Sequence, residues 1–453
     1  MLPHESAEKF AKWLKAWGVE PVLLGPLFLL LLFIIFIWYD SDSIGALFTA
    51  TLALSPLWVP LFLLRYFWIT WMNYIRYQFW LTLDYVLLEV VLPPEVEKSP
   101  LAMEVALTTL WNSAGETTFI DRLWKGKCRA VWSLEIASNE GRVSYYIRMR
   151  RDWRNIMEAR MYGQFPEARI TEVEDYTEKV PFKLGEYELF GLEYIKVEAG
   201  AVPIKTYYDY ELNKDPDVPE TTVDPITHIL ELLSSIGKDE YIWLQYIVRT
   251  RKKDEWYGFY KKKDQFKEGG KEEIEKIMRG AGERAKRLAG DDPQAQAQAA
   301  SRGSSILTET ERRRVEAIEK SMGKLIFEVG IRSLYFAKKE RFKPIYVTPL
   351  VRMFDTYRTA DLNQMNHTRG LTIFDYPWQD YHGIRKARIQ KELFSHYHDR
   401  AYFYAPHDQT PIFLNLEELA SLWHFPSSTV NPPGLERVAA KRAEAPTGLP
   451  TGL

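Results

Sequence analysis

Cysteine is almost absent from this sequence, which has one cysteine among 453 residues and therefore cannot form an internal disulfide. Cys128 lies between Lys127 and Arg129, where a strand pattern begins, and nothing in its neighbourhood marks a nucleophile. A structural thiol is the favoured interpretation, and a reducing cytoplasmic setting fits it.

An excess of charge of either sign is also missing. The chain has 59 basic and 61 acidic residues, and its formal net charge at pH 7 is −2. Domains that bind nucleic acid usually carry a clustered positive excess. The overall composition therefore gives no general signature of nucleic-acid binding.

Sequence motifs for catalysis are missing as well. The chain has no Gly-x-x-x-x-Gly-Lys-Ser/Thr loop for nucleotide phosphates and no Gly-x-Ser-x-Gly nucleophile elbow. Gly280-Ala281-Gly282 lies in a charged helical stretch, without the strand and turn of a dinucleotide site. The sequence therefore predicts no catalytic residue, no cofactor and no enzyme activity.

One local group of histidines deserves comparison with a metal site. It consists of His396, His398 and His407, with Asp399 and Asp408 nearby. On a strand, residues two apart share a face, so the spacing permits a shared ligand site. No cysteine or second ligand pair accompanies the group, and hydrogen-bonded or solvated histidines are favoured. No metal ligand is predicted.

Two long apolar runs without charge occupy residues 21–39 and 44–64. Each matches the roughly 20 residues that cross a hydrocarbon core of about 30 Å, and prolines are tolerated in such helices. A cleaved signal peptide is the alternative for the first run, but no clear cleavage site precedes the second. The sequence predicts a transmembrane hairpin with a juxtamembrane helix over residues 21–83.

Cations flank the hairpin on one side. Lysines precede the first run within an amphipathic helix predicted over residues 1–20, and Arg65 and Arg76 follow the second run. By the positive-inside rule, both termini and the main domains lie on the cytoplasmic side of the inner membrane. The candidate membrane-interface residues are Trp38, Tyr39, Arg65, Trp68 and Trp71. For the aromatics of residues 71–80, packing against a helix of a partner fits equally well.

From residue 84 onward the pattern is that of an α+β protein. Ser99-Pro100 can open a helix, Trp132, Leu134 and Ile136 alternate with polar residues, and the turn at residues 139–141 marks a hairpin. Residues 84–180 therefore predict a ferredoxin-like βαββαβ domain. Residues 181–425 repeat the plan, so the fold class is a transmembrane hairpin followed by tandem ferredoxin-like domains.

A long charged insertion interrupts the second predicted domain at residues 251–321. Its lysines and glutamates are mixed, which favours a solvated, partly disordered arm flanked by helices. In the alternative, the arm binds DNA through its lysines and the aromatics Trp256, Tyr257 and Tyr260. Residues 426–453 are a proline-rich tail without further periodicity.

Three arginines are the candidate interaction residues of the predicted domains. Arg148, Arg150 and Arg151 lie at the end of a predicted strand and its following turn. A row of cations there can contact a partner, and a solvated strand end explains it equally well.

Five segments carry a resemblance to a known family. They are residues 97–104 (Glu-Lys-Ser-Pro-Leu-Ala-Met-Glu), 132–136 (Trp-Ser-Leu-Glu-Ile), 154–159 (Arg-Asn-Ile-Met-Glu-Ala), 313–320 (Arg-Arg-Val-Glu-Ala-Ile-Glu-Lys) and 415–426 (Asn-Leu-Glu-Glu-Leu-Ala-Ser-Leu-Trp-His-Phe-Pro). With them, residues 91–450 are similar to the membrane-proximal region of type IV secretion, conjugative-transfer coupling-type ATPases of candidate-phylum bacteria. In that family a RecA-like motor follows this region, and the nucleotide loop of the motor has no counterpart in this sequence.

The resemblance implies a non-catalytic function. We expect an inner-membrane scaffold or adaptor of a type IV secretion or conjugative DNA-transfer apparatus, which docks a separate RecA-like ATPase. The expected partners are the lipid bilayer, further copies of the chain and that ATPase. In the alternative function, a membrane-tethered protein binds DNA through the arm.

Overall fold

The computed structural model describes most of the chain from residue 52 to residue 437. The described residues are 45, 49, 52–93, 98–112, 115–116, 118–180, 182–213, 224–252, 255–257, 260–262, 264–289, 307–368, 374, 376–404, 407–426, 434–435 and 437. The predicted amphipathic helix of residues 1–20 and the first apolar run, with Trp38 and Tyr39, lie outside them.

The elements of the first half begin with a long helix. In chain order they are α1 (Ser55–Leu81), β1 (Tyr85–Val91), α2 (Pro100–Leu107), α3 (Phe119–Leu123), β2 (Val131–Asn139), β3 (Arg142–Arg150), α4 (Arg154–Gln164), β4 (Arg169–Val173) and α5 (Tyr176–Lys179). Ser99 caps α2, since its hydroxyl accepts a hydrogen bond from the amide of Leu101 at 3.2 Å.

The second half contains the remaining elements. They are β5 (Tyr187–Lys196), α6 (Ile226–Ser234), β6 (Glu240–Thr250), β7 (Glu255–Tyr257), β8 (Tyr260–Lys262), α7 (Gln265–Ala289), α8 (Glu309–Gly323), β9 (Ile326–Lys338), α9 (Val347–Val351), β10 (Met365–His367), α10 (Ile384–His398), β11 (Phe403–Tyr404), β12 (His407–Asp408), β13 (Ile412–Asn415) and α11 (Leu416–Leu422). Of the predicted arm, the structure thus describes a small hairpin and two helices.

Nine strands form one antiparallel sheet. Their order is β10-β5-β9-β6-β2-β3-β1-β4, and β13 pairs with the first residues of β9. Each half has the connectivity β-α-β-β-α-β, and in each half the fourth strand lies beside the first, the first beside the third and the third beside the second. The halves join where β2 pairs with β6, with Ile136 opposite Leu244. The two βαββαβ units therefore share one continuous sheet.

Strict alternation along the strands separates the two faces of the sheet. Trp132, Leu134 and Ile136 of β2 point to the larger core, together with Leu244 and Tyr246 of β6. This core is covered by helices α2, α4, α6 and α11. Because this face is buried, the residues of each strand that point to it are apolar.

The opposite face of the sheet is also covered, by α5, α10 and residues 399–404. Trp243, Phe336 and Tyr397 form a smaller aromatic core there. Between the aromatic groups lie buried polar side chains, including Glu135, Gln245 and Arg332. This second face positions the features described below.

The predicted transmembrane hairpin is wrong. Within the described part of the chain, every helix is either too short or too polar to cross a bilayer. Within the second apolar run, residues 44–64, helix α1 starts at Ser55, and it continues beyond the run to Leu81. This continuation contains Arg65, Asn73, Arg76 and Gln78, and its last third packs on the sheet.

Candidate interaction surface

The last third of α1 packs closely against the backbone of the loop at Gly126. Gly126 has a positive φ of 61°, and a Cβ atom there would lie 2.4 Å from the carbonyl carbon and oxygen of Ile75. Only glycine avoids both the backbone strain and the clash. Met72 and Ile75 are buried at this contact, so α1 is held at its base by direct backbone approach.

Aromatic contacts complete the base of α1. The indole of Trp71 donates to the carbonyl of Leu123 at 3.1 Å. Trp80 stacks on Tyr85 with ring centroids 5.8 Å apart, and it meets the edge of Tyr404 at 6.2 Å. A cavity of about 180 Å³ lies between this end of α1 and residues 399–404. These contacts join three separate segments of the chain at one place.

Beyond its base, α1 exposes large apolar side chains, and α3 adds to the same surface through the contact of Trp124 with Trp71 at 6.1 Å. We call this the α1–α3 surface. Its exposed members are Leu63, Leu64, Tyr66, Phe67, Trp68, Ile69, Tyr74, Tyr77, Phe119, Ile120 and Trp124. Trp68 is 46% exposed and Trp124 is 65% exposed. Large contiguous apolar surfaces of this kind mark sites of interaction.

The composition of α1 resembles the centre of a protein interface. Between residues 55 and 81 it has no Lys, Asp or Glu, and its two charges are Arg65 and Arg76. Aromatic residues and arginine are enriched at interface centres, where lysine and carboxylates are depleted. Arg65 is exposed, whereas the guanidinium of Arg76 lies 5.2 Å from the ring centroid of Tyr404. Arg65 and Trp68 are thus available at the surface.

A buried ionic network supports the wall against which α1 packs. The carboxylate of Glu135 accepts hydrogen bonds from Arg400 at 3.0 and 3.2 Å and from the hydroxyl of Tyr176 at 2.7 Å. It also accepts one from Gln245 at 2.9 Å, and Arg400 makes a second ion pair with Asp175. Arg400 immediately precedes residues 401–404, so this Glu135–Arg400 network fastens that segment to the centre of the sheet.

Burial, charge and hydrogen bonding act in opposite directions on this network. Burial alone would raise the pKa of Glu135, but the charge of Arg400 and the hydrogen bonds to the carboxylate lower it below its usual range. Arg400 loses solvation on burial, yet the charge of Glu135 raises its pKa well above the ordinary value. The pair is therefore ionised at neutral pH.

The predicted arginine row does not form a free basic surface. The guanidinium of Arg148 lies 4.2 Å from the ring centroid of Tyr85, and burial lowers its pKa to about 10. Arg150 bonds Asp152 at 2.7 Å, and Arg151 bonds Asp84 at 2.5 Å. All three cations therefore have partners within the chain.

The histidine group lies partly on a helix rather than on a strand. His396 and His398 belong to α10, where residues two apart do not share a face. His396 stacks on His407 at 4.2 Å, His407 contacts Glu193 at 2.6 Å, and His398 contacts Asp399 at 2.9 Å. The described residues contain no group of three or more His, Cys, Asp or Glu side chains suited to a metal.

Cys128 lies beneath the base of α1. Its side chain is buried, and its thiol points to the carbonyl of Gly126 at 3.4 Å. Burial raises the pKa of the thiol to about 11. This environment suppresses the thiolate that a nucleophile requires.

The described part of the charged arm is a pair of packed helices. Phe266 and Ala281 of α7 and Ile318 of α8 are buried against the domain. The arginines on these helices pair with carboxylates: Arg284 contacts Glu311 at 2.5 Å, and Arg314 contacts Glu273 at 2.9 Å. These pairs neutralise part of the positive charge of the two helices, and the side chains of β7 and β8 lie outside the described residues.

A polar cleft of about 230 Å³ lies between α8 and residues 203–209. Its cations also face carboxylates: Lys324 lies 3.1 Å from Glu104, and Lys320 lies 2.9 Å from Glu417. The lining has three cations and four carboxylates, so no positive excess attracts an anionic ligand. We therefore interpret the cleft as a structural contact between α8 and residues 203–209.

Sequence reasoning identified part of the α1–α3 surface and missed the rest. Trp68 and Trp71 were expected at a membrane boundary, and the structure places them on this surface or at its base. Phe119, Ile120 and Trp124 were not singled out. The available signal was three large apolar residues in a short polar stretch, but their proximity to Trp71 arises from tertiary contacts.

The model of a family described as "Domain of unknown function (DUF8128)" matches residues 91–436. These residues include the whole nine-stranded sheet except the first residues of β1. No curated protein matches the chain.

Proposed function

The chain belongs to the DUF8128 family, and we propose that it is a non-catalytic scaffold or adaptor that binds a partner protein through the α1–α3 surface. One observation carries this proposal. The base of α1 is locked onto the sheet, whereas the preceding part of the same helix presents large aromatic and aliphatic side chains to solvent. A helix presented in this way loses little conformational entropy on binding, because it is already ordered.

A protein is the occupant that fits the chemistry of this surface. The surface combines Tyr, Trp and Phe side chains with Arg65, and these residue types supply most binding hot spots. A partner with a complementary apolar groove can pack on α1 in the helix-in-groove mode. The aromatic side chains then bury their rings while their polar atoms reach the rim.

The proposed assembly follows from the resemblance given above. In it, the chain serves a type IV secretion or conjugative DNA-transfer apparatus on the cytoplasmic side of the inner membrane, and the partner is a separate RecA-like ATPase. Further copies of the chain are the second proposed partner. The α1–α3 surface supports a contact with a protein partner. The cross-linking experiment below is designed to identify that partner.

Site-specific photo-cross-linking tests this function directly. A benzoylphenylalanine residue in place of Phe67, on the exposed part of α1, is introduced into the full chain in its native cells. The expected product on irradiation joins the chain to a P-loop ATPase that mass spectrometry identifies. The same probe at Ile156 is the matched control, since Ile156 is exposed on α4, which covers the other face of the sheet.

The outcomes separate the parts of the proposal. Cross-linking at Phe67 to a second copy of the chain would keep the scaffold function and replace the ATPase by a homo-oligomeric contact. Equal products from Phe67 and Ile156, or none from Phe67, would contradict a docking role for this surface. A Trp68→Asp variant should lose the product without losing stability, because Trp68 is largely exposed.

A further inference from the structure

A second exposed aromatic group lies just before α10. Tyr376 and Trp378 stack with ring centroids 4.6 Å apart and an angle of 11° between the ring planes. Tyr381 follows and meets the ring of His382 at 4.2 Å. Trp378 is 67% exposed and Tyr381 is 75% exposed, so both present open ring surface to solvent.

The loop that carries these rings has a defined conformation. Gln379 is buried, its amide nitrogen on the main chain donates to the carbonyl of Tyr376 at 3.0 Å, and its side-chain oxygen accepts from the amide of Tyr376 at 3.3 Å. Asp380 accepts from the amides of Arg385 and Lys386 at 2.8 and 3.3 Å, and thereby caps the start of α10. The aromatic rings are therefore held in place before any ligand arrives.

The exposed face of α10 continues from the aromatic rings and carries two cations. This face contains Ile384, Arg388 and Lys391 at helical spacing, and all three are exposed. Residues 376–398 contain four basic side chains against Asp380 and Glu392. Asp380 is engaged as a cap, and Glu392 lies 3.7 Å from Arg388. Lys386 pairs with Glu188 of β5, which leaves a local balance of about one positive charge, whereas the whole chain has a net charge of −2.

We propose that Trp378 and Tyr381, with the exposed face of α10 that carries Arg388 and Lys391, bind single-stranded nucleic acid. Open aromatic rings accept unpaired bases by stacking, and adjacent cations follow the phosphate backbone. A duplex does not offer its base faces to these rings. The exposed part of α1 lacks such a row of cations, because Arg65 is its one exposed cation and Arg76 packs against Tyr404.

The binding surface is independent of the proposed scaffold function. α10 packs on the sheet through Gln390, whose amide donates to the carbonyl of Leu189 at 3.0 Å, so its outer face stays open to a ligand. Helices α7 and α8 also carry cations, but their one aromatic residue, Phe266, is buried. These helices therefore offer no open ring for an unpaired base, whereas the segment before α10 does.

Fluorescence anisotropy with labelled 20-nucleotide oligo(dT) and oligo(U), at about 50 mM salt, tests the inference on the full chain. We expect binding to either or both, and a Trp378→Ala change should weaken it by about 5- to 150-fold, the effect of losing one stacked base. Trp124→Ala is the matched control, since Trp124 is equally exposed on α3. It should leave the affinity unchanged.

Two further measurements separate the contributions of bases and phosphates. An abasic oligomer of the same length should bind the native chain more weakly than oligo(dT), and at least as weakly as oligo(dT) binds the Trp378→Ala variant, because it also loses the stacking on Tyr381. Replacing Arg388 by Gln should lower the slope of log affinity against log salt by about 0.7. Absence of binding at low salt, equal affinity for a duplex, or equal losses for Trp378→Ala and Trp124→Ala would overturn the proposal.

Discussion

Removal of the Glu135 carboxylate is the most informative perturbation of the fold. Glu135 is fully buried, and its two oxygens accept bonds from Arg400, Tyr176, Gln245 and Ser133. In a Glu135→Ala variant, Arg400 keeps one carboxylate, Asp175, and Tyr176 and Gln245 keep their bonds to Tyr397, but every donor loses the charged acceptor. Breaking a buried pair from one side typically costs about 3–5 kcal/mol, and we expect the free energy of unfolding to fall by that amount.

Chemical denaturation at pH 7 measures this change, with an exposed ion pair as the control. Glu172 lies 3.1 Å from Arg151 at the surface, and Glu172→Gln should cost less than about 1 kcal/mol. Glu135→Gln keeps the shape and one acceptor oxygen, so its cost should lie between those of the other two variants. A Glu135→Ala cost as small as that of Glu172→Gln would refute the view that this network fastens residues 399–404.

The same network predicts sensitivity to acid. The pKa of Glu135 is lower in the folded state than in the unfolded chain, so its contribution to stability is present above the unfolded pKa. It is lost as the pH falls below about 4.5 and through the folded pKa. The unfolding free energy of Glu135→Gln should therefore change less than that of the native chain between pH 5 and pH 3, as denaturant titrations at each pH would show.

Three further perturbations test neighbouring contacts. Gly126→Ala should strain the loop beneath α1 and increase hydrogen exchange over its last third; unchanged exchange would argue against the backbone contact with Ile75. Burial and the charges of His407 and Arg332 lower the pKa of His396 to about 4. The free energy of unfolding should therefore fall by about 1–2 kcal/mol as the pH drops from 6.5 to 4. In urea titrations, His396→Gln should remove this effect. Lys196→Met should leave the buried Glu418 carboxylate, 2.6 Å away, without its cation and cost about 3–5 kcal/mol. Adding Glu418→Gln should partly restore stability in the same assay, because the side-chain oxygen can still accept from the amide of Ile204.

Local patterns in the sequence predicted those elements whose burial is itself local. The alternation of Trp132, Leu134 and Ile136 predicts β2, because the apolar half of each pair faces the larger core. The Ser99-Pro100 pair likewise predicts the start of α2, because a cap is a contact between near neighbours. Strand β13 was missed, since its four residues are ordered by pairing with β9, more than 80 positions away.

The candidate surfaces were harder to predict, because they depend on which apolar residues the fold leaves uncovered. A long apolar run indicates a need for burial but not its location, and here it suggested a bilayer. The structure shows a helix whose end is held by Gly126 and Tyr404, two residues that no periodic pattern connects to it. Trp378 had no signal of its own, since it stands outside the periodic segments of the sequence.

The two candidate surfaces are connected through one rigid element. α10 has 15 residues and is therefore about 22 Å long. The aromatic rings of Trp378 and Tyr381 lie at its first residue, and residues 399–404, which form the wall beside α1, follow its last residue. The Glu135–Arg400 network holds that junction to the sheet. A partner on α1 and a nucleic-acid strand on α10 would therefore be kept at a fixed separation. If the two ligands are attached to each other and the attachment spans that distance, binding of one raises the effective concentration of the other.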